Sequence, residues 1–296
     1  MTENKITKIE GIKSINHIFE AYIVDIWGVL WDGIEPYTDA KKTLQSLKKL
    51  NKPILLLSNA PRRAKVVKDK LNSIGIHEKL YNKIISSGEI CRNNFLTNKS
   101  VISKVGSSFY FIGQDTDKCI TEELPLTEVG KIKDADFLLV CGTRNFNDGI
   151  NIYKKELDLA LKLNLPFVCV NPDKYVIRKE GKLLICAGIM AEYYQSNKGI
   201  VFSFGKPFSK AYEECIKYLK TLKPQIKKKQ ILIVGDSLET DILGANNCDM
   251  ASLLIANGIH RDDLLFNQNY LSSKKIIKLF SRYNACPSYI TKDFTF

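Results

Sequence analysis

Residues 21–30 read AYIVDIWGVL and place one carboxylate, Asp25, directly after an apolar run of strand length. Two further runs, Ile54–Ser58 and Ile231–Gly235, have the same form, and Asp236 follows the second. Continuous apolar strands are typical of parallel sheets that are covered on both faces. Open α/β sheets bind ligands beyond the carboxyl ends of their strands. We therefore expect these three strands to bring polar residues to one edge of a sheet.

Amphipathic segments with the period of a helix alternate with these strands. One follows Thr38 or Asp39, either of which we expect to cap it, and another begins near Pro61. Two more are predicted at Ser209–Lys220 and Leu238–Asn246. Strands that alternate with helices predict βαβ units and a doubly wound, mostly parallel α/β sheet.

The middle of the chain, about residues 86–200, carries a second set of strands and helices. Buried strands are predicted at Phe137–Cys141 and Phe167–Val170, and a helix is predicted at Ile150–Leu163. Short apolar runs flank residues 179–182, KEGK, which is the signal of a hairpin. A second group of elements inside the first indicates an inserted domain.

The composition is that of a globular protein of 296 residues, 45% of them hydrophobic and 26% charged. No apolar run reaches the roughly 18 residues of a membrane span, and residues 1–10 lack the apolar segment of a secretory signal. Eight cysteines without a CxxC pair and three histidines argue against a zinc site and against a disulfide framework. We therefore predict a cytoplasmic protein without a membrane span.

The net charge of +12 and the pI of about 9.2 allow an anionic partner. The densest basic segments are Lys220–Lys229 and Lys274–Arg282, and neither is interleaved with aromatic residues as in a nucleic-acid platform. The pattern therefore does not favour nucleic-acid binding. A small anionic substrate, or lysines spread over solvated faces, explains the charge equally well.

Four short motifs carry residues that suit phosphate chemistry. Asp25 ends a strand and suits nucleophilic attack on phosphorus, and Ser58 ends another, where a hydroxyl and free amides can bind phosphate oxygens. Lys206 precedes a proline and can neutralise a transferring phosphoryl group. Asp236 and Asp241 lie across a turn, and such hard oxygen ligands suit Mg2+. Taken singly, each has an ordinary alternative as a turn residue, a helix cap or a solvated lysine.

Together and in this order, the four motifs resemble those of phosphatases of the haloacid dehalogenase superfamily. The insertion between Ser58 and Lys206 resembles the class II arrangement. Three segments are similar to the NagD-like, class IIA branch: NPD at 171–173, FGKP at 204–207 and GDS at 235–237. The resemblance implies a Rossmann-like core and an inserted α/β cap domain, which we assign to residues 1–85 with 201–296 and to residues 86–200, respectively.

The resemblance also implies roles for the motif residues in a Mg2+-dependent phosphohydrolase of small phosphorylated metabolites. Asp25 would attack phosphorus and form an aspartyl-phosphate, which water then cleaves. Mg2+ would be held by Asp25, the backbone carbonyl of Trp27 and Asp236. Asp241 would support the metal shell.

The remaining roles concern the phosphate and the rest of the substrate. Ser58 and the amide of Asn59 would bind phosphate, and Lys206 would balance its charge. Asn171 and Asp173 would face the substrate from the cap. Caps of this type often mediate dimers in the family, so a homodimer through the cap is a further expectation.

One residue departs from the family pattern. The family's phosphatases carry a second Asp two positions after the nucleophile as general acid/base, and this chain carries Trp27. An indole N–H only donates a hydrogen bond and cannot transfer a proton usefully at neutral pH. General acid–base help is worth about 10² to 10⁴ in rate. The Asp-x-Trp-Gly pattern resembles a subgroup of the class IIA branch, and Trp27 can equally serve by packing under the cap.

Three functional interpretations remain open at this point. The chain is a slow or specialised phosphatase, with another proton carrier such as Asp32 or with a substrate whose leaving group needs little protonation. Alternatively, it is a sensor that binds a phosphorylated metabolite without hydrolysing it. The third interpretation is a nucleic-acid binder driven by surface charge.

Overall fold

The structure is a computed structural model that describes residues 6–97, 105–177, 183–267 and 269–296. Its strands are β1 (Thr7–Lys8), β2 (Ala21–Val24), β3 (Ile54–Ser58), β4 (Lys83–Ser86), β5 (Ser108–Ile112), β6 (Thr127–Glu128), β7 (Phe137–Val140), β8 (Phe167–Cys169), β9 (Tyr175–Ile177), β10 (Leu183–Ile185), β11 (Val201–Ser203), β12 (Ile231–Gly235), β13 (Ala251–Ile255), β14 (Leu265–Phe266), β15 (Asn269–Tyr270) and β16 (Tyr289–Thr291). The helices are α1 (Thr38–Lys49), α2 (Ala64–Ser73), α3 (Ser87–Leu96), α4 (Lys154–Lys162), α5 (Ala187–Ser196), α6 (Ser209–Leu222), α7 (Leu243–Asn247), α8 (Arg261–Leu264) and α9 (Ser273–Tyr283).

The larger sheet has seven parallel strands in the order β1-β16-β13-β12-β2-β3-β4. Its central strands β2, β3 and β12 are buried along their whole length, as expected for strands that are covered on both faces. Val24 pairs with Val234 of β12 and with Leu56 of β3, so the carboxyl ends of the three strands meet at one edge. We call this sheet and its helices the core layer.

A second parallel sheet lies between β4 and α6 in sequence, with the order β11-β8-β7-β5-β6. The antiparallel hairpin β9–β10 forms a separate two-stranded sheet between β8 and β11 in sequence. We call this sheet and the hairpin, which fall within residues 108–203, the cap layer. Two parallel sheets with flanking helices confirm the predicted doubly wound, Rossmann-like α/β class. Residues 178–182, which include the predicted hairpin turn, lie outside the described residues.

The cap layer extends slightly beyond the predicted end of the insertion at residue 200. Strand β11 pairs with β8 and so belongs to the second sheet. All three residues of β11 are half-buried. The assignment of residues 1–85 with 201–296 to one domain and of residues 86–200 to another stays a prediction.

Two helix starts differ from the sequence prediction. Thr38 and Asp39 do not cap α1, because the helix begins one residue earlier than expected and its N-cap is Tyr37, whose backbone N–H donates to Leu30 O at 2.9 Å. The helix predicted from Ile150 starts as a separate 3₁₀ turn at Ile150–Ile152, and α4 follows from Lys154. None of the helices described for this chain has the length and apolar character needed to cross a bilayer.

Candidate active site

Three buried carboxylates converge at the shared edge of β2 and β12. Asp25, Asp236 and Asp241 each place one oxygen within 4.8 Å of the others. Asp25 follows β2 and Asp236 follows β12, so the pairing of these strands brings the first two acids together. Asp241 arrives from a π-helical turn, Leu238–Ile242, that Ser237 caps by accepting from the Thr240 N–H.

Lys206 places its ammonium inside this cluster. It follows β11 in the chain, is 2% exposed, and lies 2.6 Å from Asp25 Oδ1 and 2.8 Å from Asp241 Oδ1. Burial alone would lower the pKa of Lys206, but the surrounding carboxylates raise it above its ordinary value, so the lysine stays charged. The lysine is therefore a cation held against the predicted nucleophile.

The cluster is short of positive charge, since three carboxylates meet one ammonium and leave a formal charge of −2. Burial, followed by the negative charge of Asp241, raises the pKa of Asp25 well above its usual range. The same two causes raise the pKa of Asp236 to about 7. Carboxylate oxygens without enough positive charge fit a hard divalent cation such as Mg2+. The residues present therefore fit the predicted metal.

Gly28 permits the close packing of the nucleophile loop against Asp236. Its φ of +79° lies in the left-handed region, and a Cβ at this position would come within 2.0 Å of Asp236 Oδ2. The same carboxylate oxygen accepts a hydrogen bond from the backbone N–H of Ile259 at 2.8 Å. The sequence reasoning missed the Ile259 contact, because nothing in the sequence pairs the two segments.

Ser58 and Asn59 lie beside the carboxylates, on the same cavity as Asp25. Ser58 Oγ accepts from the backbone N–H of Ala60 at 3.1 Å, which is also what a simple turn residue would do. Asn59 has a role that the sequence did not indicate. Its Oδ1 accepts from the Lys206 N–H at 2.7 Å and its Nδ2 donates to Lys206 O at 3.0 Å, so its side chain fixes the backbone of the lysine.

Asn171 and Asp173 bring the cap layer to the site. Asn59 Nδ2 donates to Asp173 Oδ1 at 2.8 Å, and the Asp173 N–H donates to Asn171 Oδ1 at 3.1 Å. Burial raises the pKa of Asp173 to about 6, although Lys206 opposes the shift. A salt bridge of 2.9 Å between Lys174 and Glu239 adds a further contact between the two layers. The structure thus places both predicted cap residues at the cavity that Asp25 lines.

Trp27 connects the nucleophile loop to the cap layer. Its indole Nε1–H donates to Ile177 O of β9 at 2.9 Å, and its ring meets that of Trp31 edge to face with centroids 5.1 Å apart. The side chain therefore packs against the cap hairpin, in agreement with the interpretation of Trp27 as a residue that packs under the cap. Its backbone carbonyl as a metal ligand, and the subgroup defined by this tryptophan, stay predictions.

Asp32, the suggested alternative proton carrier, is engaged in its own loop. Its Oδ1 accepts from the backbone N–H groups of Ile34 at 2.8 Å and Glu35 at 2.7 Å, which closes a tight turn. Asp32 also lines a cavity that Asp25 and Asp236 share. Its role as proton carrier stays a prediction.

Comparison with known proteins gives the family. Two family models match, one for haloacid dehalogenase-like hydrolases over residues 22–127 and one for HAD-hydrolase-like proteins over residues 203–277, and together they span more than half of the chain. The 5'-nucleotidase YutF of Bacillus subtilis is 27% identical over 246 residues, 81% of this chain and 88% of that protein. The 4-nitrophenylphosphatase of Schizosaccharomyces pombe is 24% identical over 288 residues, 90% of this chain and 93% of that protein.

The fold comparison agrees with the sequence matches. The crystal structure of a haloacid dehalogenase-like hydrolase from Brucella suis superposes with a TM-score of 0.83 at 25% identity, over 97% of this chain and 99% of that one. The matched segments contain Asp25 in the first model and both Lys206 and Asp236 in the second. The chain is therefore a hydrolase of the haloacid dehalogenase superfamily, with neighbours of the NagD-like, class IIA kind.

Proposed function

We propose that this phosphoric monoester hydrolase acts on a small phosphorylated metabolite with Asp25 as nucleophile and Mg2+ as cofactor. The observation that carries the proposal is the cluster of Asp25, Asp236 and Asp241 around Lys206, with carboxylate oxygens within 4.8 Å of one another. Relatives named as a 5'-nucleotidase and as a 4-nitrophenylphosphatase support the same reaction class. These two names differ in their substrate and leave the metabolite of this chain open.

The reaction proceeds in two displacements on phosphorus. One oxygen of Asp25 forms a bond to phosphorus while the bond to the leaving oxygen breaks, and the leaving group takes the electron pair. Water then attacks phosphorus, the bond to Asp25 breaks, and the proton that water gives up ends on the released phosphate. Lys206 contacts Asp25 Oδ1, which leaves the second carboxylate oxygen for attack.

The other residues bind and orient the phosphoryl group. Ser58 and the amide of Asn59 are proposed to hold phosphate oxygens, and Lys206 to balance their charge. Asp25, Asp236 and the Trp27 carbonyl, with Asp241 in support, would hold Mg2+, which would supply positive charge to the phosphoryl oxygens. Asn171 and Asp173 are proposed to close the site from the cap layer.

A phosphate-release assay tests the proposal. Purified protein with Mg2+ should release phosphate from members of a panel of sugar, nucleotide, acyl and phenyl phosphates, and Asp25→Asn should abolish the release. Asp39→Asn is the matched control, because the Asp39 side chain is 64% exposed on α1 and should keep full activity. Equal activity of Asp25→Asn and the unmodified chain would reject the mechanism.

The binding-protein alternative makes a different prediction, which thermal unfolding tests. A phosphorylated ligand would raise the unfolding temperature in the presence of Mg2+ and would persist for hours without hydrolysis.

The predicted homodimer through the cap is tested separately, by measuring the molar mass in solution.

A further inference from the structure

A largely apolar cavity of about 220 Å³ opens directly from the proposed active site. Asp25, Ser58 and Asn59 line one end of it. The side walls come from both layers, with Val67 and Leu71 of α2 in the core layer and Leu184 of β10 in the cap layer among them. Asp25 also lines a second cavity, but of the two only the apolar one is lined by Ser58 and Asn59, the proposed phosphate-binding residues. An ester whose phosphoryl group these residues hold would therefore extend into the apolar cavity.

The size of the cavity suits one ring. An engineered cavity of about 150 Å³ lined by apolar side chains binds benzene. A cavity of about 220 Å³ therefore accommodates a single ring with a small substituent. Trp27 and Trp31, which meet edge to face, also belong to its lining and offer aromatic surface to a planar group.

The groups around this cavity are poorly suited to protonating a leaving oxygen. The indole N–H of Trp27 is already donated to Ile177 O at 2.9 Å. Besides the proposed nucleophile Asp25, the described acidic residues that line the cavity are engaged as hydrogen-bond acceptors: Asp117 accepts from Arg62 Nε at 2.7 Å, and Asp173 accepts from Asn59 Nδ2 at 2.8 Å. The exposed Lys70 holds its ammonium over the Trp31 ring, 5.0 Å from the centroid.

An ester cleaved without such a proton must release an oxygen that is stable as an anion. A phenol ionises with a pKa of about 10, as tyrosine does. The hydroxyl of water, which an aliphatic alcohol resembles, has a pKa of about 15.7. Aryl esters therefore tolerate the loss of general acid help that alkyl esters need. The apolar cavity and Trp27 in place of the acid point to the same class of substrate.

We propose that the substrate is the phosphomonoester of a single-ring aromatic hydroxyl, whose ring lies in the cavity between α2 and the β9–β10 hairpin and whose oxygen leaves as the aryloxide. The inference rests on the proposed function and names the substrate class of the same site. In the first displacement the P–O bond breaks towards the aryl oxygen while Asp25 bonds to phosphorus. The aryloxide takes its proton from solvent after it departs.

Three esters test the aromatic ring and the aryl leaving group of the proposed substrate separately. Phenyl phosphate combines the ring with an aryl leaving group, benzyl phosphate keeps the ring but releases an alkoxide, and glycerol 3-phosphate has neither feature. We expect kcat/KM with Mg2+ at pH 7 to be about 10² or more higher for phenyl than for benzyl phosphate, because acid help is worth about that much. Benzyl phosphate should exceed glycerol 3-phosphate by about tenfold or more, because its ring is buried.

A pair of cap variants tests where the ring lies. Leu184→Ala should lower kcat/KM for phenyl and benzyl phosphate by about tenfold and leave glycerol 3-phosphate unchanged. Leu183→Ala is the matched control, since Leu183 precedes Leu184 on β10, is 51% exposed and does not line the cavity. It should leave all three esters unchanged.

The outcomes distinguish this inference from the proposed function. Equal kcat/KM for phenyl and benzyl phosphate, or for benzyl and glycerol phosphate, would overturn the aryl substrate class while phosphate release that depends on Asp25 keeps the proposed function. An unchanged preference for ring esters in Leu184→Ala would overturn the placement of the ring. If neither the three esters nor any member of the wider panel released phosphate, the proposed function would be overturned, and this inference with it.

Discussion

Removing the charge of Lys206 should strongly destabilise the metal-free protein. Lys206 is 2% exposed and makes two ion pairs, at 2.6 Å with Asp25 and at 2.8 Å with Asp241. Lys206→Met keeps most of the apolar stem but leaves three buried carboxylates with no counterion. Breaking a buried pair by removing one partner typically costs about 3 to 5 kcal/mol.

The assay is urea unfolding at pH 7 in the presence of EDTA, with the free energy of unfolding as the readout. Lys42→Met is the matched control, because its ion pair with Asp39 is exposed, with side chains 68% and 64% accessible, and should contribute less than about 1 kcal/mol. Added Mg2+ should recover part of the loss in Lys206→Met, because a ligand that binds only the folded state stabilises it. A loss below about 1 kcal/mol in EDTA would refute the reasoning about this charge cluster.

Two further changes test the geometry and the charges of the site. Asp173→Asn should be more stable than the unmodified chain by at most about 3 kcal/mol at pH 7 and equally stable at pH 3. The pKa of the Asp173 carboxyl rises from 3.8 to about 6 on folding, so the unmodified protein loses stability as the pH rises between those values. A difference in the free energy of unfolding, measured in urea, that does not vary with pH would contradict this. Gly28→Ala should abolish Mg2+-dependent phosphate release, because the new Cβ would lie 2.0 Å from Asp236 Oδ2. Gly130→Ala is the control and should stay fully active, because its Cβ would meet nothing within 4 Å. Full activity of Gly28→Ala would show that the loop is not held as described.

The sequence predicted the parts of the fold that depend on local pattern. The strands β2, β3 and β12 are continuous apolar runs because both faces of the sheet are covered, and such runs can be recognised from one sequence. The four motifs follow strand ends or a short loop, and their order along the chain carried the family resemblance that grouped Asp25 with Asp236. The convergence of these two acids follows from parallel strand pairing.

The contacts that the sequence could not predict join residues far apart in the chain. The side chain of Asn59 binds the backbone of Lys206, 147 residues away, and Trp27 donates to Ile177, 150 residues away. Such contacts depend on how the cap layer is placed over the core layer, and hydrophobic periodicity carries no information about that placement. The sequence offered packing under the cap as one interpretation of Trp27, and the hydrogen bond to Ile177 O is what supports it.

Chemical trapping of the proposed aspartyl-phosphate tests the central claim most directly. The protein is mixed with phenyl phosphate and Mg2+, quenched in acid and reduced with borohydride, and the peptide that contains residue 25 is analysed by mass spectrometry. Because Trp27 supplies no base to activate the hydrolytic water, the intermediate should accumulate, and we predict that Asp25 is reduced to homoserine only when substrate and Mg2+ are both present. An unmodified Asp25 during continuing phosphate release, or a phosphoryl group on another residue, would contradict the account.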